Sequence, residues 1–147
     1  MRGFKVAKGF ENSNIILPKR QTKNSAGYDF YSPVDIVIEP HKSVSVKTNI
    51  KAEMEKDEVL LLFTRSSMGI KRHLMLCNGT GVIDSTYFNN PDNEGNIIVA
   101  LYNYGDETQT ITKGERFCQG VFNKYLTTAD DKPLNAQRLG GIGSSGK

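Results

Sequence analysis

Residues 34 to 50, VDIVIEPHKSVSVKTNI, decide the fold class. Apolar and polar residues alternate with a period of two on both sides of residues 39–42, whose sequence EPHK is typical of a turn. Successive side chains of a strand point to opposite faces, so this alternation is typical of strands with one buried face. The stretch therefore predicts a strand, a turn and a second strand.

The same kind of signal recurs along the rest of the chain. Short apolar or alternating runs predict strands at residues 59–63, 97–103, 108–112 and 116–122. One short helix is predicted at about residues 66–70, where a serine could cap the first turn. Short strands separated by turns, with no strand–helix–strand rhythm, favour an all-β sandwich, barrel or jelly roll.

Length and composition bound the function. The 147 residues suit a single domain, and 19 basic residues dispersed among 16 acidic ones give a net charge of only +3. No nucleic-acid partner is expected from this charge, and no apolar run approaches the roughly 18 residues of a membrane span. Cys77 and Cys118 fit no metal-binding spacing and are expected to be buried free thiols. We therefore expect a cytoplasmic protein with no membrane partner.

The C-terminal segment differs from the rest of the chain. From about Asn135 it loses apolar periodicity, and it ends in GGIGSSGK. Such a segment cannot hold itself folded by burial. Residues 1–134 are therefore expected to form one β domain, and residues 135–147 a flexible arm that a ligand or a partner chain would order.

Two internal segments carry side chains that could do chemistry. Residues 64–69 (TRSSMG) place an arginine beside hydroxyl groups, a combination that suits phosphate oxygens. Residues 77–87 (CNGTGVIDSTY) place a glycine-rich turn before Asp84, which could act as a general base. Taken singly, these segments are better explained by a capped helix with a surface arginine and by a plain hairpin with a turn aspartate.

The order of five segments changes that balance. SAGYDFY (25–31), RSSMG (65–69), GVIDSTY (81–87), KGERFCQ (113–119) and GGIGSSG (140–146) follow one another along nearly the whole chain. The series resembles the five ordered motifs of the trimeric dUTPase family. The resemblance implies an all-β, jelly-roll-like subunit with a short helical turn. It also implies a homotrimer whose active sites lie at subunit junctions, each closed by a C-terminal arm exchanged from another subunit.

The resemblance also implies an activity. Enzymes of this family hydrolyse dUTP to dUMP and pyrophosphate with Mg²⁺ as cofactor, which keeps uracil out of DNA and supplies dUMP for thymidylate synthesis. Asp84 would activate the water that attacks the α-phosphorus in line, and Asp29 and Gln119 complete the expected catalytic set. The metal ion would be held mainly by substrate phosphates and water, with Asp29 near those waters. 

Substrate binding is implied for a larger set of residues. It comprises Arg65, Ser66, Ser67, Asn78, Gly81, Val82, Ile83, Tyr87, Gln119, Arg138, Gly141, Ile142, Gly143, Ser144 and Ser145. Within it, Arg65, Ser66 and Gln119 would contact the phosphates. A hairpin at about residues 74–84 would read uracil with the help of Asn78, and Tyr87 would pack beneath the deoxyribose and exclude a 2′-hydroxyl.

Three departures from the family pattern stand out. Ile142 occupies a position where many relatives have an aromatic residue that stacks on uracil, and Arg138 is shifted by one position relative to the usual arginine. Residues 88–94 (FNNPDNE) form a polar insertion that is expected to be a surface loop. A regulatory protein partner is a further expectation if the chain comes from a phage or prophage.

Two rival functions belong to other classes. A dCTP deaminase shares the fold and a similar Arg-Ser-Ser segment, but the position of its catalytic glutamate is occupied here by Ala100. A nucleotide-sensing or protein-binding module would have kept the fold and lost the activity. The presence of Asp84, Arg65, Ser66 and Gln119 disfavours that second rival.

Overall fold

A computed structural model of the chain describes residues 1–134 and 137–143. These residues form eleven strands, one α-helix and one 3₁₀ turn. The strands are β1 (Gly3–Val6), β2 (Tyr28–Tyr31), β3 (Ile36–Ile38), β4 (Ser43–Lys47), β5 (Ile50–Glu53), β6 (Glu58–Phe63), β7 (Leu74–Leu76), β8 (Gly81–Asp84), β9 (Ile98–Asn103), β10 (Gln109–Ile111) and β11 (Arg116–Lys124). The helix α1 spans Ser66–Arg72, and the 3₁₀ turn spans Ser85–Tyr87.

The strands pair antiparallel throughout the described residues. The larger sheets have the strand orders β2–β11–β6–β8 and β4–β9–β7, and β1–β5 and β3–β10 form two further pairs. Side chains of both larger sheets meet in one hydrophobic core, for example Leu60 and Phe117 with Leu74 and Leu101. The predicted all-β, jelly-roll-like fold is confirmed.

The strand, turn and strand predicted at residues 34–50 are present as β3 and β4, separated by a turn in which His41 has a φ of 59°. The two strands do not pair with each other. β3 pairs with β10 and β4 pairs with β9, so the turn carries the chain from one sheet to another. Alternation specifies which face of a strand is buried but not which strand lies beside it.

Strand β6 is the central element of the four-stranded sheet. The predicted strand at residues 59–63 is observed as Glu58–Phe63, with Leu60 and Leu62 almost fully buried. It hydrogen-bonds to β11 along one edge and to β8 along the other. It therefore connects the strands that carry Gln119 and Asp84.

Two local predictions are corrected. Helix α1 begins at Ser66 as expected, but its N-cap residue is Arg65 and no side chain caps its first turn. Cys118 is buried, and its burial raises the pKa of the thiol, whereas Cys77 is exposed. Cys77 follows the last residue of β7, where the chain turns towards the surface. Its backbone N–H donates to Ala100 O at 2.9 Å, and its side chain is exposed.

In the described part of the chain, no helix has the length and hydropathy needed to span a membrane.

Candidate active site

The first group of candidate residues is an arginine cluster, consisting of Asp29, Arg65, Arg116 and Gln119. Asp29 on β2 and Gln119 on β11 lie opposite each other in the sheet. Asp29 is buried, and its Oδ1 and Oδ2 lie 3.2 Å from Arg65 Nε and 3.2 Å from Arg116 Nη1. Because both carboxylate oxygens are engaged, Asp29 fixes the direction of the two guanidinium groups.

The position of the Gln119 side chain requires a glycine at residue 27, just before β2. A Cβ atom on Gly27 would lie 2.3 Å from Gln119 Oε1, so only glycine leaves room for the amide in this position. Ser66 and Ser67 are exposed in the first turn of α1, directly after Arg65. The arginine cluster thus combines fixed cations with exposed hydroxyl groups at one end of β6.

The second group is the Asp84 cluster, consisting of Asp84, Thr86, Tyr87 and Arg138. Asp84 is the last residue of β8 and caps the 3₁₀ turn, because its Oδ1 accepts hydrogen bonds from the backbone N–H of Thr86 at 2.9 Å and from the Thr86 hydroxyl. Arg138 Nη2 lies 4.0 Å from Asp84 Oδ2. Among the described residues, no group donates a hydrogen bond to Oδ2. That oxygen is therefore available to accept a proton.

Arg138 and Tyr87 close this cluster from the side of the arm. Arg138 Nε donates to Thr86 Oγ1 at 3.0 Å, and its guanidinium lies 5.4 Å from the centre of the Tyr87 ring. The buried Tyr87 hydroxyl donates to Asn96 O at 2.9 Å and accepts from Asn93 Nδ2 at 2.9 Å. These bonds hold the ring in one orientation beneath the arm.

A cavity of about 350 Å³ lies beside the Asp84 cluster. This volume is within the range of small-molecule sites, about 300–1,000 Å³. Val82 and Ile142 are exposed to solvent (67% and 83%), although both line the cavity. The full lining comprises Leu62, Asn78, Thr80, Gly81, Val82, Ile83, Tyr87, Ile98, Arg138, Gly141, Ile142 and Gly143.

The hairpin predicted at residues 74–84 is not a paired hairpin. β7 pairs with β9 and β8 pairs with β6, so the turn at residues 77–80 crosses from one sheet to the other. β7 and β8 are outer strands of two different sheets, and no ladder joins them. The turn is held by Gly79 N to Leu76 O at 3.0 Å, and Asn78 lies exposed at the cavity.

The two clusters lie at different positions along β6. Gln119 is opposite Phe63 and Asp84 is opposite Val59, four residues apart on the same strand. At about 3.3 Å per residue this is a separation of about 13 Å along the strand. A single chain therefore does not bring the expected phosphate contacts and the expected base together.

The structure brings most of the expected site residues into these two clusters or the cavity, while Ser144 and Ser145 lie outside the described residues. Two residues of these clusters were not expected at the site: Thr86, and Arg116, which was expected only to support the turn beside it. Thr86 follows Asp84 by two residues, which is the spacing of a local cap and could have indicated the contact. No sequence signal placed Arg116 beside Asp29, because that contact is made across the sheet.

Metal-binding groups are sparse in the part of the chain that the structure describes. No group of three or more His, Cys, Asp or Glu side chains there could hold a metal ion. Asp29 already shares its oxygens between two arginines. This donor set fits Mg²⁺ only as an ion carried by phosphate oxygens and water, which is how Mg²⁺ often binds with nucleotides.

An all-β fold with an arginine cluster and a carboxylate beside a nucleoside-sized cavity has the features of a nucleotide-processing protein. The model of the dUTPase family matches residues 13–146. A deoxyuridine 5'-triphosphate nucleotidohydrolase of Lactococcus lactis subsp. lactis (strain IL1403) is 42% identical over 147 residues, which cover 99% of this chain and 98% of that protein. The chain belongs to the dUTPase family.

Further relatives agree with this assignment. The deoxyuridine 5'-triphosphate nucleotidohydrolase of Escherichia phage T5 is 37% identical over 142 residues, covering 88% of this chain and 91% of that protein. The crystal structure of dUTPase from Streptococcus mutans superposes with a TM-score of 0.79 at 43% identity, covering 86% of this chain and 98% of that chain. Family and fold are thus supported by both sequence and structure.

Proposed function

We propose that the chain hydrolyses dUTP to dUMP and pyrophosphate, with Asp84 as general base. The observation that carries the proposal is the geometry of Asp84, whose Oδ1 is held by Thr86 while Oδ2 accepts no hydrogen bond from the described residues. Ile83, which precedes Asp84, lines the cavity. A nucleotide bound in the cavity would therefore present its phosphates close to the Asp84 carboxylate. The relatives' names support dUTP as the substrate.

The chemical step follows from this arrangement. Asp84 accepts a proton from a water molecule, whose oxygen forms a bond to the α-phosphorus as the bond to the bridging oxygen breaks and pyrophosphate leaves. A positioned general base is worth about 10² to 10⁴ in rate. Magnesium, when bound to the triphosphate, would supply neutralisation of the charge that develops on the phosphates.

Arg65, Ser66, Ser67 and Gln119 would bind the phosphates. Asp29 would act by orienting Arg65 rather than by binding the metal ion, since its two oxygens are occupied by Arg65 and Arg116. A fixed guanidinium binds phosphate oxygens with less loss of side-chain entropy than a free one. The arginine cluster would thus position the triphosphate for in-line attack.

Base and sugar selection would come from the cavity walls. The backbone of the turn and β8, with Asn78, would pair with uracil and leave unpaired polar groups against cytosine. Gly81 packs so closely on β6 that a Cβ atom there would lie 2.9 Å from Leu62 Cβ. Tyr87 is held by Asn93 and Asn96 and would exclude a 2′-hydroxyl from the sugar site.

The separation of the two clusters supports the homotrimer that the family resemblance implies. About 13 Å along β6 is too far for one α-phosphate to contact both Asp84 and Gln119 of the same chain. Sites completed between neighbouring subunits would bring one chain's Asp84 cluster to another chain's arginine cluster. The arm would then close over the nucleotide.

One assay tests the proposed activity against its rivals. The protein is incubated with Mg²⁺ and dUTP, dCTP, dTTP or UTP, and pyrophosphate and ammonia are measured separately. We expect pyrophosphate from dUTP alone. Ammonia from dCTP would favour the deaminase, and no product from any of the four would favour the binding module. This chain has Ala100 at the position of a deaminase's catalytic glutamate and so has no carboxylate side chain there.

A further inference from the structure

The insertion loop, residues 88–94, is anchored on the body of the domain. Lys51, a buried residue of β5, donates to Asn89 Oδ1 at 2.7 Å and forms an ion pair with Glu94. Burial by itself raises the pKa of Glu94, but the Lys51 ammonium and the backbone amide of Lys8 outweigh it and lower that pKa. The expectation of a plain surface loop is therefore incomplete, because both ends of the loop are fixed.

A buried asparagine fixes the middle of the loop. Asn90 Oδ1 accepts hydrogen bonds from the backbone N–H groups of Asp92 and Asn93, both at 3.1 Å. Asn90 Nδ2 donates to Tyr87 O at 2.8 Å and to Asn93 Oδ1 at 2.7 Å. The Asn90 amide thus connects the loop to the backbone of Tyr87 and to the side chain of Asn93.

The Asn93 side chain is held in one orientation. Its Oδ1 accepts hydrogen bonds from Asn90 Nδ2 and from the backbone N–H of Gly95, the latter at 3.1 Å. Because two donors face Oδ1, the amide nitrogen must lie on the other side, where it donates to the Tyr87 hydroxyl at 2.9 Å. The loop therefore supplies a fixed hydrogen-bond donor to the tyrosine.

The Tyr87 hydroxyl is engaged both as a donor and as an acceptor. It gives its single proton to Asn96 O at 2.9 Å and accepts from Asn93 Nδ2. Asn96 is itself buried, and its Nδ2 donates to Asn49 Oδ1 at 3.0 Å. Tyr87 is thus held at its hydroxyl by Asn93 and Asn96, and at its backbone by Asn90.

The ring of Tyr87 connects the loop to the cavity. Tyr87 lines the cavity, whereas no residue of the loop is part of the lining in the described chain. A wall of a site rejects a larger ligand only if displacing that wall costs free energy. A ring that could turn would make room for a 2′-hydroxyl, and the hydrogen bonds of the loop oppose that displacement.

We propose that residues 88–94 form a specificity element that sets discrimination against ribonucleoside triphosphates, with Asn90 and Asn93 as positioning residues for Tyr87. By opposing displacement of the ring, the loop keeps a 2′-hydroxyl out of the sugar site. This inference rests on the proposed function, since it concerns the sugar site of dUTP hydrolysis. It gives the insertion a role in choosing the sugar and none in the chemical step.

The ratio of kcat/KM for dUTP to kcat/KM for UTP tests the proposal. Asn93→Ala removes the donor to the Tyr87 hydroxyl and should lower this ratio about fivefold, the effect of losing one hydrogen bond. The change should come from faster hydrolysis of UTP, with kcat for dUTP within about twofold of the wild-type value. Urea denaturation confirms that the variant is folded. An unchanged ratio in the folded variant would overturn the proposal.

Pro91→Ala is the matched control within the same loop. Pro91 is exposed, and its side chain has no hydrogen-bonding group, so the ratio should equal that of the wild type. A fall as large as that of Asn93→Ala would mean that any change in the loop has this effect. That result would remove the specific role of Asn93.

Tyr87→Phe breaks the same contact from the other side. The ring stays and both hydrogen bonds of the hydroxyl are lost, so the ratio should fall at least as far as in Asn93→Ala. In the Tyr87→Phe background, Asn93→Ala should then have no further effect on the ratio, because the contact is already absent. Additive losses would show that Asn93 acts by another route. If Asn93→Ala does not fold, a wild-type ratio in Tyr87→Phe alone would overturn the proposal.

Titration calorimetry separates this inference from the proposed activity. Asp84→Asn should bind nucleotide with little turnover, so Kd can be measured for dUTP and for UTP. Adding Asn93→Ala should bring the two Kd values about fivefold closer. A wild-type protein that hydrolyses no dUTP would refute the proposed function, and the same narrowing of the Kd values would still support the role of the loop. An unchanged ratio of the Kd values would refute that role.

Discussion

Asp29 and Asp84 lie in the same four-stranded sheet but in opposite surroundings. The Asp29 side chain is 10% exposed and is held by Arg65 and Arg116, both at 3.2 Å. The Asp84 side chain is 37% exposed, and its nearest cation, Arg138, is 4.0 Å away. One carboxylate is saturated by cations, whereas the other keeps an oxygen that accepts no hydrogen bond within the described chain.

The contrast shows that one residue type serves two tasks in one small domain. A carboxylate between two guanidinium groups orients them and contributes to stability, because removing it would leave two neighbouring cations without a negative charge between them. A carboxylate held on one side by a local cap can accept a proton without a change in packing. Four substitutions test this contrast.

The largest effect is expected from Asp84→Asn. The amide keeps the shape of the side chain and loses the basic oxygen, so kcat for dUTP should fall by about 10² to 10⁴. The free energy of unfolding should change by less than about 0.5 kcal/mol, as for other partly exposed positions. Steady-state kinetics and urea denaturation measure the two halves of the prediction. Substantial residual turnover would mean that the base is another group.

Asp29→Asn should reduce stability, which Asp84→Asn should leave nearly unchanged. Loss of the charge between Arg65 and Arg116 should lower the free energy of unfolding by about 2 kcal/mol, below the range for fully buried pairs because Arg116 is 39% exposed. Urea denaturation measures this loss, with Asp84→Asn as the matched control. Equal stability of the two variants would contradict the structural role of Asp29.

Ile142→Phe tests the cavity side of the comparison. An aromatic ring at this exposed position could stack on the base, and base–aromatic stacking is worth about 1–3 kcal/mol, so KM for dUTP should fall at least about fivefold. Leu139→Phe adds a ring to the arm outside the cavity lining and is the control. An unchanged KM in Ile142→Phe would show that residue 142 does not cover the base.

Gly27→Ala tests the arginine cluster with the smallest change. The new Cβ would meet Gln119 Oε1 and should turn the flexible end of Gln119 away, at little cost in stability. The lost phosphate contact should raise KM for dUTP about threefold. Gly3→Ala is the control, since no atom lies within 4 Å of a Cβ there. An identical KM in both variants would remove Gln119 from the phosphate site.

The sequence predicted the fold class and several strands well, because these depend on local patterns. The apolar run at residues 59–63 corresponds to β6 within one residue, and the turn at residues 39–42 separates β3 from β4. Strand partners were not predictable, as the unpaired hairpin at residues 74–84 shows, since many pairings satisfy the same alternation. The exposure of Cys77 depends on the same crossing between sheets.

The candidate site residues were predicted from the family resemblance. The contacts that these residues make could be described only from the structure. The position of Arg116 beside Asp29 is set by the pairing of β11 with β2, which contains a register shift between Arg116 and Cys118. The contact between Asp92 and Gly141 joins residues 49 positions apart. Long-range contacts of this kind leave no periodic signal in the sequence.

The two clusters lie beside opposite ends of β6, and their separation affects how the protein behaves in solution. In the proposed trimer, each chain contributes its Asp84 cluster to one site and its arginine cluster to another. An isolated chain would therefore be folded but inactive. Specific activity would then depend on protein concentration, and dilution would reduce turnover before any loss of secondary structure. Specific activity and the fraction of assembled trimer would fall together as the protein concentration is lowered.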